Sequence, residues 1–134
     1  MAWRDVLLDS DRKSLVLPDS NTLEIETEID LHSATSVGLG IKNVNKAPQA
    51  LVNFNGSELQ VLDAKAPLTL PKGDRKLKLR IFIDRSVLEV FANETAGITK
   101  TIAPLEADVS LEIRAEGGDA KAKRIQAWPM KTIW

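Results

Sequence analysis

The most restrictive feature of the sequence is an alternation of apolar and acidic residues, seen most clearly in "LEIETEIDL" at residues 23–31. Successive side chains of a β-strand point to opposite faces, so a repeat of two predicts a strand with one buried and one wet face. Similar short runs recur, separated by the turn signals "NG" at 55–56, "PKGD" at 71–74 and "EGGD" at 116–119. No sustained helical period competes with them. The pattern predicts an all-β fold, a two-sheet antiparallel β-sandwich of about nine or ten strands.

Size and charge narrow the function classes. The chain has 134 residues, enough for one core, a formal net charge of −1 and no cysteine. We expect a domain over residues 22–134, preceded by an irregular connector or first edge strand over residues 1–21. Mixed charges argue against a nucleic-acid partner, and no apolar run approaches the roughly 20 residues of a membrane span. The N-terminal segment is too acidic and interrupted to read as a signal peptide, and the compartment stays open.

The Asn55-Gly56 pair predicts a hairpin, because these residues suit a two-residue turn with positive φ. Pairing outward from that turn places Phe54 opposite Ser57, Val52 opposite Leu59, and Ala50 opposite Val61. This register gathers the apolar residues on one face.

A second hairpin is predicted in "LRIFIDRSVLEVFAN" at residues 79–93, with Arg85 and Ser86 in the turn. One face then carries only apolar residues, which we assign to the core: Leu77, Leu79, Ile81, Ile83, Leu88, Val90 and Ala92. The opposite side, which we term the mixed face, carries Arg80, Phe82, Asp84, Glu89 and Phe91. Charges mixed with two large rings suit neither a core nor a plain solvent face, so the mixed face is expected to have a partner.

Asp84 and Glu89 allow two interpretations. Glycosidases flank the scissile bond with two carboxylates about 5 to 10 Å apart, and these two residues are diagonal neighbours on one face. Alternatively, Asp84 accepts hydrogen bonds in the turn and Glu89 pairs with Arg80 or Arg85. The second interpretation is favoured because a sandwich strand offers no concavity.

Other chemistry-bearing residues are few. His32 is the only histidine, so a histidine metal cluster or relay is excluded and neither metal nor cofactor is expected. The acidic stripe of Glu24, Glu26, Glu28 and Asp30 is expected to pair across strands with Lys76, Lys78 and Arg80, or to remain solvated. Three tryptophans are candidate carbohydrate contacts, although core or edge packing is favoured for them: Trp3, Trp128 and Trp134.

The second hairpin resembles the signature of the C-terminal β-sandwich domain of glycoside hydrolase family 32, which includes invertases, levanases and inulinases. A segment of the form L-R-I-F-x-D-x-S-x-x-E-V-F-x-N recurs among the members of that family. The matching residues include Arg80, Phe82, Asp84, Ser86, Glu89, Phe91 and Asn93. "LEIETEIDL", "GITKTIAP" at 97–104 and the closing "AWPMKTIW" resemble further segments of the same domain.

This resemblance implies a sandwich similar to the legume-lectin, concanavalin A-like jelly roll, which in full-length enzymes follows a five-bladed catalytic propeller. The family's catalytic motifs, N-D-P-N-G, R-D-P and E-C, belong to the propeller and do not occur in this sequence. No catalytic residue is therefore carried over, and the chain alone is not expected to be catalytic.

The resulting hypothesis is a non-catalytic module that stabilises, orients or oligomerises the propeller of a β-fructosidase acting on sucrose, levan or inulin. The expected partners are the propeller, in cis or in trans, and a second copy of the chain. The alternative is a free-standing carbohydrate-binding module for fructan or another glycan.

Overall fold

The computed structural model describes residues 1–71 and 73–130, which form twelve strands in two antiparallel sheets. The strands are β1 Ala2–Leu8, β2 Lys13–Val16, β3 Thr22–Asp30, β4 Ser36–Asn43, β5 Ala50–Phe54, β6 Glu58–Val61, β7 Ala64–Pro67, β8 Lys76–Asp84, β9 Val87–Ala92, β10 Ala96–Thr101, β11 Val109–Glu116 and β12 Ala120–Pro129. The first sheet has the order β1-β12-β3-β8-β9-β10, and the second has the order β2-β11-β4-β5-β6-β7. The predicted all-β, two-sheet sandwich is confirmed. Over the described ranges, no helix is long and apolar enough to cross a bilayer.

The strand count exceeds the predicted nine or ten because short edge strands carry little sequence signal. β2 and β7 have four residues each and lie at the two edges of the second sheet. Pro67 ends β7, where an edge strand tolerates the missing amide donor. β1 lies at an edge of the first sheet, and Leu8 and Leu17 are both fully buried. The N-terminal residues therefore contribute two edge strands and part of the core.

The core lies between the sheets and draws on the inward residues of both. In β3 the alternation has the predicted outcome, since Leu23, Ile25 and Ile29 are fully buried while the acidic residues between them are half-buried. Thr27 is one of the few buried polar residues, and its hydroxyl donates to the Arg124 carbonyl at 3.0 Å. This hydrogen bond offsets the cost of burying the hydroxyl.

The predicted register of the first hairpin is wrong by two positions on its second strand. Val52 pairs with Val61 and Phe54 pairs with Leu59, so the turn is centred on Gly56 and Ser57. The Asn55 side chain explains the shift. Its Oδ1 accepts hydrogen bonds from the backbone amides of Ser57 at 3.0 Å and Glu58 at 2.8 Å. Asn55 therefore precedes the two turn residues and caps the turn with its side chain. The apolar residues still share one buried face.

A β-bulge interrupts β12 where it pairs with β3. Ala122 pairs with Ile29 and Arg124 pairs with Glu28, which leaves Lys123 as the extra residue. Because one residue is inserted, Lys123 and Arg124 are both exposed while Ala122 and Ile125 remain buried. The bulge thus places Arg124 beside the acidic residues of β3.

Candidate docking surface on the first sheet

The predicted register of the second hairpin, formed by β8 and β9, is confirmed. Asp84 pairs with Val87, Phe82 with Glu89, and Ile81 with Val90. Arg85 adopts a φ of 57° in the turn, and its amide donates to the Asn21 carbonyl at 2.8 Å. The seven apolar residues assigned to the core are all buried, each at 1% exposure or less. The hairpin is therefore fixed from within, and the mixed face points outward.

Arg80 organises the centre of the mixed face. Its guanidinium forms two ion pairs with β3, one to Glu24 Oε2 and one to Glu26 Oε1, each at 3.1 Å. The same group lies 5.2 Å from the centre of the Phe82 ring, within cation–π distance. Glu89 is therefore not the partner of Arg80, because the two glutamates of the neighbouring strand hold the guanidinium.

The two aromatic rings of the mixed face pack against each other. The Phe82 and Phe91 ring centres are 5.9 Å apart with an interplanar angle of 76°, an edge-to-face arrangement. Gly97 of β10 leaves room for the Phe91 ring, since a Cβ there would lie 3.2 Å from the ring carbon Cδ1. Phe91 nevertheless remains 42% exposed. An exposed ring held in one orientation is suited to contact with another surface.

The acidic stripe pairs across strands as predicted, although only part of it forms ion pairs. Glu26 lies opposite Arg80, Glu28 opposite Lys78, and Asp30 opposite Lys76. Of these three cations, Arg80 alone has a carboxylate of β3 within 4 Å in the described part of the chain. The described residues contain no group of three or more metal-ligating side chains.

Asp84 and Glu89 lie at the margin of this surface. Asp84 is exposed at the turn, and Glu89 is half-buried between Phe82 and Thr99 on the flanking strands. A groove of about 530 Å³ opens on the same sheet, and neither carboxylate lines it. The groove does not bring the two acids together in a cleft as a glycosidase pair requires.

The groove is lined by residues of β3, β8, β9 and β12, including Glu28, Lys78, Arg80, Phe91 and Arg124. Sequence reasoning identified Arg80 and Phe91 but missed Arg124, which reaches this site through the β-bulge. No local sequence pattern marks that bulge. The groove therefore has acidic and basic side chains next to the rings of Phe82 and Phe91.

Asn93 and Ser86 of the signature have structural positions at the two ends of the hairpin. Asn93 Oδ1 accepts the Lys78 amide at 2.6 Å, and its Nδ2 donates to the Lys76 carbonyl at 3.1 Å. Asn93 also adopts a φ of 50°, a conformation that asparagine tolerates better than most residues. At the other end, the Ser86 carbonyl accepts the amide of Ile102 at 2.8 Å.

The candidate tryptophans do not form one platform. Trp3 packs partly buried against the core and pairs with the inward residue Ile125. Trp128 is 36% exposed and lies opposite Glu24 on the outer side. Trp134 lies outside the described residues. Because Trp3 and Trp128 occupy opposite sides of the first sheet, a sugar ring cannot stack on both.

The fold and its mixed face define a two-sheet β-sandwich module whose signature hairpin carries an outward, preorganised surface. The sequence profile described as "Glycosyl hydrolases family 32 C terminal" matches residues 4–129. The chain belongs to this family, which confirms the resemblance inferred from the hairpin.

Individual relatives agree with the family. A levanase of Bacillus subtilis (strain 168) is 43% identical over 70 residues, which cover 52% of this chain and 10% of the levanase. A levanase of Bacillus sp. (strain L7) is 33% identical over 92 residues, which cover 68% of this chain and 10% of that protein. The chain therefore spans about a tenth of the length of these curated relatives.

A crystal structure of exo-inulinase from Aspergillus awamori has the same fold. The superposition has a TM-score of 0.80 at 19% identity and covers 100% of this chain and 29% of the inulinase.

Proposed function

We propose that the chain acts as the non-catalytic C-terminal module of a β-fructosidase, and that it stabilises, orients or oligomerises a catalytic propeller acting on sucrose, levan or inulin. The family match over residues 4–129 is the single observation that carries this proposal. The two bacterial relatives are both levanases, which supports fructan as the substrate class. The propeller partner is inferred from the architecture of the family.

The mixed face is the surface we assign to the propeller contact, with the exposed Phe91 ring as its anchor. Three observations support this choice: Phe91 is exposed, Phe82 fixes its orientation, and Arg80 is already neutralised by two glutamates. Interfaces between domains commonly place aromatic anchors at the centre and satisfied polar groups at the rim. Asp84 and Glu89 occupy that rim.

The non-catalytic assignment is tested on the isolated chain. The purified protein is incubated with sucrose, levan and inulin, and released fructose is measured. We expect no release above a buffer control. Release that follows the protein through purification and disappears in Asp84→Asn or Glu89→Gln would overturn the assignment and restore the acid-pair interpretation.

The docking assignment is tested in a chimera that carries this chain in place of the matching segment of the Bacillus subtilis levanase. Phe91→Ser should lower the thermal inactivation temperature of levan hydrolysis, because the variant loses the aromatic anchor of the contact. Val44→Ser is the matched control, since Val44 is 48% exposed and lies after β4 in the second sheet. Equal behaviour of the two variants would exclude the mixed face as the contact surface.

A further inference from the structure

The outer side of the second sheet contains a separate groove, centred on two glycines of β4. Gly38 and Gly40 occupy outward positions between β11 and β5. On the β11 side they pair with Arg114 and Glu112, and on the β5 side they pair with Asn53 and Leu51. Glycine has no side chain, and neighbouring side chains fill part of the space above these two residues, so that Gly40 is buried. The resulting depression has a volume of about 330 Å³.

One wall of the groove holds a carboxylate in a fixed position. Glu112 Oε1 lies 3.1 Å from Lys42 Nζ, and Glu112 Oε2 lies 3.5 Å from an Arg12 guanidinium nitrogen. The Glu112 and Lys42 side chains are both less than one-fifth exposed. Two cations therefore hold this carboxylate, and each of its oxygens keeps lone pairs that accept further hydrogen bonds.

The other wall presents an amide and an apolar end. The Asn53 side chain folds over Gly38, since a Cβ on Gly38 would lie 2.6 Å from Asn53 Oδ1. Pro48 and Leu51 close the groove at Gly40, where an added Cβ would lie 3.2 Å and 3.5 Å from them. Asn53 is exposed, so its amide is available both to donate and to accept.

The charge balance selects the kind of ligand. Glu112 is paired with Arg12 and Lys42, and Arg114 lies 3.5 Å from Glu116, so the cations of this region already face carboxylates. An anion would meet Glu112, and a cation would meet Arg12 and Arg114, which line the groove. A neutral ligand with several hydroxyl groups satisfies the carboxylate, the guanidinium groups and the amide together. Its apolar ring face would lie against Leu51 and Pro48, which line the groove.

From this arrangement we infer that the glycine groove of the second sheet is a binding site for a neutral saccharide. A volume of about 330 Å³ is at the lower end of the range for small-molecule pockets and fits one or two sugar units. This site is separate from the mixed face, and neither Trp3 nor Trp128 lines it. It does not depend on the proposed docking function.

The inference is tested by following backbone amide shifts of the ¹⁵N-labelled chain by NMR. The probes are sucrose, short levan and inulin oligosaccharides, lactose and glucose, with inorganic phosphate as the charged comparison. We expect saturable shifts of the Gly38, Gly40 and Asn53 amides with at least one neutral sugar. Shifts with phosphate alone, shifts confined to the first sheet, or no saturable shift with any sugar would overturn the inference.

Two variants identify the site. Asn53→Ala removes the amide, and Gly38→Ala places a methyl group where Asn53 Oδ1 lies, so each should weaken sugar affinity about tenfold. Ser36→Ala is the control, because Ser36 lies on β4 outside the groove lining and should leave affinity unchanged. Equal affinity in all three variants, with native amide spectra, would exclude this groove. Because the readout is sugar binding by the isolated chain, its failure leaves the docking proposal unaffected.

Discussion

The outer surfaces of the two sheets differ in their side chains. On the first sheet, the outward residues of β8 and β9 are large and contact one another, whereas β4 of the second sheet carries two outward-facing glycines. On the first sheet, Arg80 links two glutamates of β3 to the Phe82 ring, and Phe82 holds Phe91. On the second sheet, a groove at Gly38 and Gly40 is bordered by polar side chains and by Pro48 and Leu51. The first arrangement suits contact with a broad, preformed surface. The second suits a small ligand, so the two proposed recognition sites differ in shape and lie on opposite sides of the sandwich.

The largest effect is expected for core truncations, which test whether the stability of both sheets depends equally on the shared core. Ile81 in the first sheet and Leu111 in the second are fully buried. Truncation of either to alanine should lower the free energy of unfolding by about 2 to 5 kcal/mol, through lost burial and the cavity left behind. Urea unfolding followed by tryptophan fluorescence and by circular dichroism measures both variants. A separate transition for each sheet would contradict a single core.

Replacing one asparagine on each sheet, Asn93 or Asn53, should change the free energy of unfolding by different amounts. Asn93→Ala removes two hydrogen bonds to the backbone of β8 and strains a positive φ, so we expect a loss of about 1 to 3 kcal/mol. Asn53→Ala on the exposed groove should change stability by less than about 0.5 kcal/mol. Chemical denaturation of both variants provides the comparison. Equal costs would mean that the groove side chain is structural rather than free to bind.

The coupling of the two rings should be measurable and local to the first sheet. A double-mutant cycle of Phe82→Leu and Phe91→Leu should give an interaction energy of about 0.5 to 1.5 kcal/mol, because the edge-to-face contact is lost. Phe82→Leu combined with Leu51→Ala, on the opposite sheet, should be additive within about 0.5 kcal/mol. Additivity of the phenylalanine pair would show that Phe91 is not held by Phe82.

The smallest effect concerns an ion pair that joins the two sheets at one side. Lys100 of β10 lies 2.6 Å from Asp63, which follows β6, and its hydrogen bond and charge hold the pKa of Asp63 below the usual 3.8. A lowered pKa stabilises the folded state above pH 3.8, and this contribution is lost as the pH falls through the folded-state value.

The measurement is the Tm of the wild type and Asp63→Asn from neutral pH to about pH 2. The small difference between them should disappear at the acid end. A difference that is constant with pH would exclude the ion pair as its source. Asp5→Asn is a suitable control, because Asp5 also pairs with a lysine, Lys121, but at a 3.5 Å separation and within the first sheet.

Local pattern predicted the fold class, the signature hairpin and the two faces of that hairpin. It succeeded there because alternation fixes which side of a strand is buried, and the Arg85-Ser86 turn leaves one self-consistent register. It failed at Asn55, where a side chain that caps the turn shifts the pairing by two positions. The sequence is compatible with a turn at Asn55-Gly56 or at Gly56-Ser57. The choice between them depends on side-chain hydrogen bonds that residue spacing does not reveal.

Both grooves depend on pairings between segments far apart in the chain. Arg124 reaches the first groove because β12 bulges against β3, almost 100 residues earlier. The second groove requires β4 to lie between β5 and β11, so that Glu112 faces Gly40. These strand pairings cannot be predicted from the local sequence of one strand. The sequence pattern therefore predicted the mixed face and the acidic stripe beside it, but not the contribution of Arg124 or the residues that form the second groove.

The hydrogen bonds of Asn93 also have a consequence for producing the protein in a secretory host. Asn93-Glu94-Thr95 and Asn55-Gly56-Ser57 both fit the acceptor pattern for N-linked glycans. A glycan attaches to the side-chain nitrogen, and in Asn93 that nitrogen donates to the Lys76 carbonyl. Asn55 uses its side-chain oxygen to cap the turn. A glycan at Asn55 thus leaves the capping oxygen free, whereas a glycan at Asn93 replaces one of the two hydrogens on the nitrogen that bonds the end of β9 to β8.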